Sequence, residues 1–238
     1  MTRPVLLFSG PWADVPLDEL AGKAAEWGYA GFELCCWGDH LEVQRGLSDD
    51  GYASHLVDRL ARSELTVPVV ANHKVGHAVS DPIDDRHRAL VPDYVWGDGD
   101  PAGVKRRAAE EMAATFHLAE QLGANVVSGF TGSPIWSYVA GYPSPKPGVI
   151  ADGFKRFADD WHPILNASRD AGVPFAFEVH PGQIAYDLCS AEAALDALGG
   201  REEFGFCFDP SHLHWQGIDP VAFLRRFPDR IYHVHIKD

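Results

Sequence analysis

Three short segments hold the residues best suited to chemistry. FEVHPGQ places Glu178 and His180 two apart, FDPSHLHW places His212 three residues after Asp209, and IYHVHIKD places His233 and His235 two apart. Successive side chains of a strand alternate between faces, so residues two apart share one. Glu178 and His180 are therefore expected to project together, as are His233 and His235. Two carboxylates and an imidazole form an oxygen–oxygen–nitrogen donor set. Such a set suits Mn²⁺, Mg²⁺, Co²⁺ or Zn²⁺, with room for water or ligand oxygens. The competing reading for Glu178 is a structural ion pair, but an enclosed carboxylate is costly unless a metal or another cation stands beside it. Asp209 could instead cap the turn that its Asp-Pro-Ser sequence begins.

These segments belong to a longer rhythm. Apolar runs that read as strands begin at Val5 (VLLFSG), Gly31 (GFELCC), Val67 (VPVVANH), Asn125 (NVVSGF), Phe175 (FAFEVH), Gly205 (GFCFDPSH) and Ile231 (IYHVHIKD). Helical periodicity fills three of the intervals, from Leu17, Gly103 and Gly153, each ending at a glycine stop. Strands alternating with helices predict parallel βαβ units. FSGPWAD has no G-x-G-x-x-G phosphate loop, which removes the main signal for a doubly wound nucleotide-binding sheet. Polar and titratable residues instead close successive strands: Glu33, His73, Glu178, Asp209 and His235. A TIM-type (β/α) barrel collects its site at that end, and this α/β barrel is the predicted fold. Two longer connections, Lys74 to Pro101 and Thr131 to Gly148, are expected to be loops walling the site.

Composition narrows the class. The 238 residues carry a net charge of −14 at pH 7, and 46% are hydrophobic. They offer no basic track of the kind that neutralises nucleic-acid phosphates. The four cysteines, Cys35, Cys36, Cys189 and Cys207, lack zinc-knuckle spacing and read as reduced thiols. No run has membrane-spanning length, and MTRPVLLFSGPW is too short a run for a signal-peptide core. A cytoplasmic protein with no nucleic-acid or membrane partner is the expectation.

With those residues in view, the whole chain resembles the xylose-isomerase-like TIM barrels, which include sugar phosphate isomerases and epimerases, ketose 3-epimerases and the apurinic endonuclease family 2. GYAGFELCCWGDH is similar to the second strand of that family, with its Gly-hydrophobic-Glu pattern. The resemblance implies a divalent metal held by Glu178, Asp209 and His235, with His212 as a substrate-contacting histidine. It further implies a sugar isomerase or epimerase that removes a proton next to a carbonyl, with Glu178 as base and His212 holding a substrate oxygen. Glu33, His73, His180, Trp37, Trp136 and Lys237 would line the pocket for a small sugar or glycoside. His233 is expected to pack or to support the ligands. An alternative is a lyase that makes the same first step and then expels an aglycone from a 3-oxo-glycoside. A non-catalytic sugar-binding protein and an apurinic endonuclease are the remoter alternatives. Ser128 and Gly129 stand where the endonucleases use a histidine, which weighs against the last.

The family carries a fourth ligand, a glutamate on an eighth strand, whereas this chain stops at Asp238 just after the seventh run. The expectation is one barrel domain over residues 1–238, truncated after strand 7 and lacking the eighth βα unit. Its open position would then be covered by further residues or by another chain, as a homo-oligomer or a partner subunit.

Overall fold

A computed structural model of the protein describes residues 4–237; Asp238, the last residue of the seventh run, lies outside them. Seven parallel strands form one sheet in sequential order. They are β1 (Leu6–Phe8), β2 (Gly31–Cys35), β3 (Thr66–Ala71), β4 (Val126–Gly129), β5 (Phe175–Glu178), β6 (Phe204–Phe208) and β7 (Ile231–Val234). All seven coincide with the apolar runs of the sequence. The helices are α1 (Leu17–Glu26), α2 (Val43–Ser48), α3 (Tyr52–Ala61), α4 (His73–Ser80), α5 (Asp93–Trp96), α6 (Pro101–Gln121), α7 (Val149–Ala171), α8 (Leu188–Ala197), α9 (Pro210–His214) and α10 (Pro220–Arg226).

The alternation of large and small residues explains why the sheet curls with its acids inside. FAFE in β5 and FGFCFD across β6 send their phenylalanines to one face and Ala176, Glu178, Gly205, Cys207 and Asp209 to the other. The phenylalanine face meets the helices. Phe175 stacks on Trp161 of α7 at 4.8 Å between ring centroids, and Phe206 packs on Phe223 and Phe227 at 5.3 and 5.1 Å. Each fully buried side chain of this size contributes roughly 1.5–3 kcal/mol. The opposite face makes a separate, smaller cluster of Val69, Val126, Ala176 and Cys207, with Leu6 and Tyr232 against it. Small side chains here let the curled sheet close in on itself.

The ring is incomplete. Ladders join each strand to the next from β1 to β7, and among the described residues none joins β7 to β1. The two ends meet through side chains instead. Phe8 of β1 stacks over His235, just past β7, at 5.7 Å, and Glu33 of β2 reaches both His233 and His235.

The connection expected as a loop from Lys74 to Pro101 is largely structured, and that expectation is corrected. It contains most of α4, a single turn at Asp85–Ala89 and α5. The reason is local: Val75, Ala78 and Val79 recur at helical spacing and are buried, and Gly76 lets α4 approach Phe130. The second long connection holds only one short turn, Trp136–Tyr138. Among the described residues no helix is long and apolar enough to cross a membrane. The four cysteines are free.

Candidate metal and catalytic site

The site is assembled from strand ends. Glu178 is the last residue of β5 and Asp209 follows β6 directly, so their carboxylates emerge side by side, 5% and 2% exposed. Asp209 does two things at once. Its Oδ1 caps α9, accepting from the Ser211 backbone N–H at 2.9 Å and the Ser211 hydroxyl at 2.6 Å. That leaves Oδ2 free to face the cluster, so the capping and ligand readings of this aspartate are compatible. One turn of α9 then brings His212 back over both carboxylates. Its Nε2 is 3.3 Å from Glu178 Oε1 and 3.4 Å from Asp209 Oδ2. The ligand atoms of Glu178, Asp209 and His212 all lie within 4.8 Å of one another.

His235 joins from the next strand end. Its Nδ1 lies 3.2 Å from Glu178 Oε1 and 3.9 Å from Asp209 Oδ2. The Lys237 ammonium stands among the same atoms, 2.5 Å from Asp209 Oδ2, 3.1 Å from His212 Nε2 and 4.0 Å from Glu178 Oε1. His73, the first residue of α4, approaches from the other side with Nε2 at 3.1 Å from Glu178 Oε2. The two oxygens of Glu178 thus have different company: Oε1 faces Asp209, His212 and His235, and Oε2 faces His73.

Of the remaining expected pocket residues, Trp37 lies edge-on to His73 at 6.4 Å, and Lys74 stands over its ring at 4.9 Å. His180 packs against His212 at 4.1 Å and its Nδ1 meets the Pro181 carbonyl at 2.5 Å. Burial lowers its basicity. Trp136 is 38% exposed and packs on Tyr186 at 5.4 Å. Glu33 is not at the mouth. It lies below, 2% exposed, with Oε1 accepting from the Ser128 hydroxyl and Oε2 from His233 and His235. A cavity of about 340 Å³ opens beside the site, lined by Trp37, Gln44, Lys74 and Tyr94 among others, and shares Trp37 with its wall.

Electrostatics sets the character of the cluster. Burial is the largest single influence on Glu178 and pushes its acidity down. The close imidazoles of His212, His235 and His73 outweigh it and hold the carboxyl well below the ordinary range. Burial likewise acts against Glu33, and His235 and His233 overcome it. Cys207, under the same histidines, is pushed up to about 12, chiefly by burial, and stays a thiol. Two buried carboxylates, Glu178 and Asp209, therefore share the Lys237 ammonium, and Glu33 is held by His233 and His235.

The donors fit a divalent cation. Asp209 Oδ2 and both nitrogens of His73 are buried without an aligned hydrogen-bond partner, although Lys237 and Glu178 lie within ion-pair range of them. Orphaned buried polar atoms of this kind are rare unless a ligand completes them. Carboxylate and imidazole donors so close together match the oxygen and nitrogen preferences of Mn²⁺, Co²⁺, Mg²⁺ and Zn²⁺.

Sequence reasoning did not single out Ser128 and Gln183 as supports. Gln183 is 1% exposed; its Oε1 accepts from the Thr131 and Gly132 backbone N–H groups at 3.0 and 2.8 Å, and its amide nitrogen lies 3.2 Å from His77. It ties the loops after β4 and β5 to α4. An amide in FEVHPGQ five residues past the glutamate was the only signal available for it.

A family model described as "Xylose isomerase-like TIM barrel" matches residues 21–238. An inosose dehydratase of Bacillus cereus is 27% identical over 93 residues, covering 39% of this chain and 31% of the relative. An uncharacterized protein of Bacillus subtilis, YfiH, is 28% identical over 156 residues, 58% of this chain and 48% of that one. The match therefore spans less than half the length of either relative. The fold is also similar to that of a probable 3-DHS dehydratase from Bacillus anthracis (TM-score 0.69, 16% identity, 99% of this chain and 73% of that chain). A 3-keto-D-glucoside 4-epimerase from E. coli is comparably similar (TM-score 0.69, 13% identity, 100% and 80%).

Proposed function

The chain belongs to the xylose isomerase-like TIM-barrel family, and from that premise we propose that it is a divalent-metal-dependent enzyme that removes a proton next to the carbonyl of a small keto-sugar or keto-polyol. The observation that carries this reading is the division of labour at Glu178, one oxygen among the donor atoms and the other turned away toward His73. Glu178 Oε1, Asp209 Oδ2 and His235 Nδ1 would hold the cation, with His212 beside them. When bound, the cation would supply Lewis-acid stabilisation to the oxygen that gains charge as the proton leaves.

The protein's own groups do the rest. Glu178 Oε2 accepts the proton, and His73 at 3.1 Å orients that oxygen. His212 and Lys237, both beside Asp209, would hold substrate oxygens. Phe8, Trp37 and Phe130 wall His73 and keep water from the base. Returning the proton to the same or the neighbouring carbon gives an epimerase or isomerase, which is the first reading.

Elimination is the second reading, favoured by a specific contact. Lys237 Nζ lies 3.1 Å from His212 Nε2, so an ammonium able to give a proton stands beside an imidazole on the Asp209 side of the site. Such a pair could protonate a departing hydroxyl or aglycone, and the names of the dehydratase relatives point the same way.

The test is incubation of the metal-loaded protein in D₂O with ketoses, keto-polyols and 3-oxo-glycosides, followed by mass spectrometry. Deuterium uptake without mass loss is expected for an epimerase or isomerase, and loss of water or aglycone for a lyase. Glu178→Gln should abolish uptake while metal content is measured in parallel. A metal-loaded wild type that exchanges none of these substrates would refute the reading.

A further inference from the structure

Glu33 is the most fully engaged buried carboxylate of the chain that the proposed chemistry leaves unused. It sits on β2, and two of its partners, His233 on β7 and His235 just past it, lie on the far side of the open junction between β1 and β7. Its Oε1 is taken by the Ser128 hydroxyl. Its Oε2 lies 2.9 Å from His233 Nε2 and 2.8 Å from His235 Nε2. It is 2% exposed, and both its oxygens are engaged by protein side chains.

The geometry points to Glu33 as the positioning residue that selects which nitrogen of His235 meets the metal. This rests on the metal site proposed above and deepens it. A neutral imidazole has one N–H donor and one lone-pair acceptor, and the partner of one nitrogen decides the role of the other. A carboxylate can only accept, so Glu33 requires hydrogen on Nε2 of His235. The position left for a cation is then Nδ1, the nitrogen 3.2 Å from Glu178 Oε1 and 3.9 Å from Asp209 Oδ2, where a bound cation would take the place of the proton shared with Glu178. The ring is held flat by Phe8, which stacks on it with an interplanar angle of 20°. The ring plane and the Nε2 proton are both fixed by contacts that involve no cation.

His233 serves the same end. It shares Oε2 with His235, and the two rings stand perpendicular at 87°. A register shift between Phe206 and Cys207 in the β6–β7 ladder accompanies their placement on the inner side. Ser128 anchors the other oxygen, so the carboxylate cannot rotate away from the two rings. Carboxylates that accept from a ligating histidine raise its donor strength, and their loss commonly costs 10- to 100-fold in metal affinity. Cys207, His233 and His235 also lie within ligand distance of one another. The rival assignment is therefore a second, deeper metal with Glu33 as a direct ligand.

Two measurements on the full chain separate these. In the Zn²⁺-loaded wild type, long-range ¹H–¹⁵N spectra of the histidines should show His235 protonated on Nε2 and bound through Nδ1. Mn²⁺ titration should give one equivalent per chain, with Glu33→Gln weakening it about 10- to 100-fold and Ser128→Ala weakening it less. Binding through Nε2, two equivalents with one lost in Glu33→Gln, or unchanged affinity in a folded Glu33→Gln would each overturn the assignment. Absence of metal binding in the wild type would overturn the site itself and this role with it. The NMR measurement needs no variant, so a Glu33→Gln that fails to fold does not remove the test.

Discussion

Gly76→Ala should loosen the wall of the site by pushing a helix off a strand. A Cβ built on Gly76 falls 2.0 Å from the Phe130 carbonyl oxygen and 2.8 Å from its carbon, whereas real Cβ atoms essentially never come nearer than 3.0 Å. Subtracting the first distance from that limit leaves about 1 Å by which α4 and the end of β4 must separate. Both sides of the contact are backbone, so no side chain can swing away to relieve it. Overpacking of this kind costs roughly 1–3 kcal/mol, against about 1 kcal/mol gained from alanine's better helix propensity. A net loss near 1 kcal/mol, at about 2–4 °C per kcal/mol for a chain of this size, lowers the melting temperature by about 2–4 °C.

The same displacement reaches the chemistry, because α4 begins with His73 and Phe130 packs on His73, His77 and His180 at 4.8–5.1 Å. Mn²⁺ affinity and deuterium exchange should therefore fall together with stability. The matched control is Gly22→Ala in α1, where nothing lies within 4 Å of the added carbon. That change should raise stability by roughly 0.5–1 kcal/mol. Calorimetry of both variants checks the pair. A Gly76→Ala protein as stable as the wild type, beside a normally behaving Gly22→Ala, would refute the close approach.

Trp161→Ala should cost about 3–5 kcal/mol in denaturant unfolding, because the ring is fully buried, stacked on Phe175, and bonded through Nε1 to the Thr131 carbonyl. Asp209→Asn should keep the α9 cap, since asparagine caps as well as aspartate, while metal content by elemental analysis drops sharply; retention of full metal occupancy would remove Asp209 from the donor set. The hydrogen bond to Asp81 raises the His87 imidazole above its ordinary 6.5. A group with a raised folded pKa contributes its stability fully below the unfolded value and loses it as pH rises through the folded one. Wild-type stability should accordingly fall relative to His87→Gln as pH increases from about 6.5, and parallel pH profiles for the two proteins would contradict this.

Much of this arrangement was legible in the chain because strands write their faces into alternating residue size. FAFE and FGFCFD announce both the phenylalanine layer and the acids at its edge. The strand-end position of Glu178, Asp209 and His235 follows from the same alternation, as does the shared face of His233 and His235. Glu33 could not be placed this way. Its strand-end position suggested contact with substrate, but its partners lie 200 and 202 residues away and meet it only because the sheet curls. The α4 segment was hidden for a different reason: its histidines, lysine and glycine mask a short helical period, and the buried face shows only once Phe130 is beside it. Asp209 carried two signals at once, a turn former and a metal donor, and the separate directions of its oxygens make the two compatible.

The side-chain junction between the ends of the sheet has a mechanical meaning. A fully laddered ring spreads its hoop tension over many backbone bonds, so no single contact governs its circumference. Among the described residues this ring is clipped at one place, by Glu33 on two histidines and by Phe8 on one of them. Widening that junction would stretch the contact between Glu33 and the His235 ring. Girth and imidazole alignment are linked through it. A cation seated on His235 would in turn act as a hoop across the two ends of the sheet.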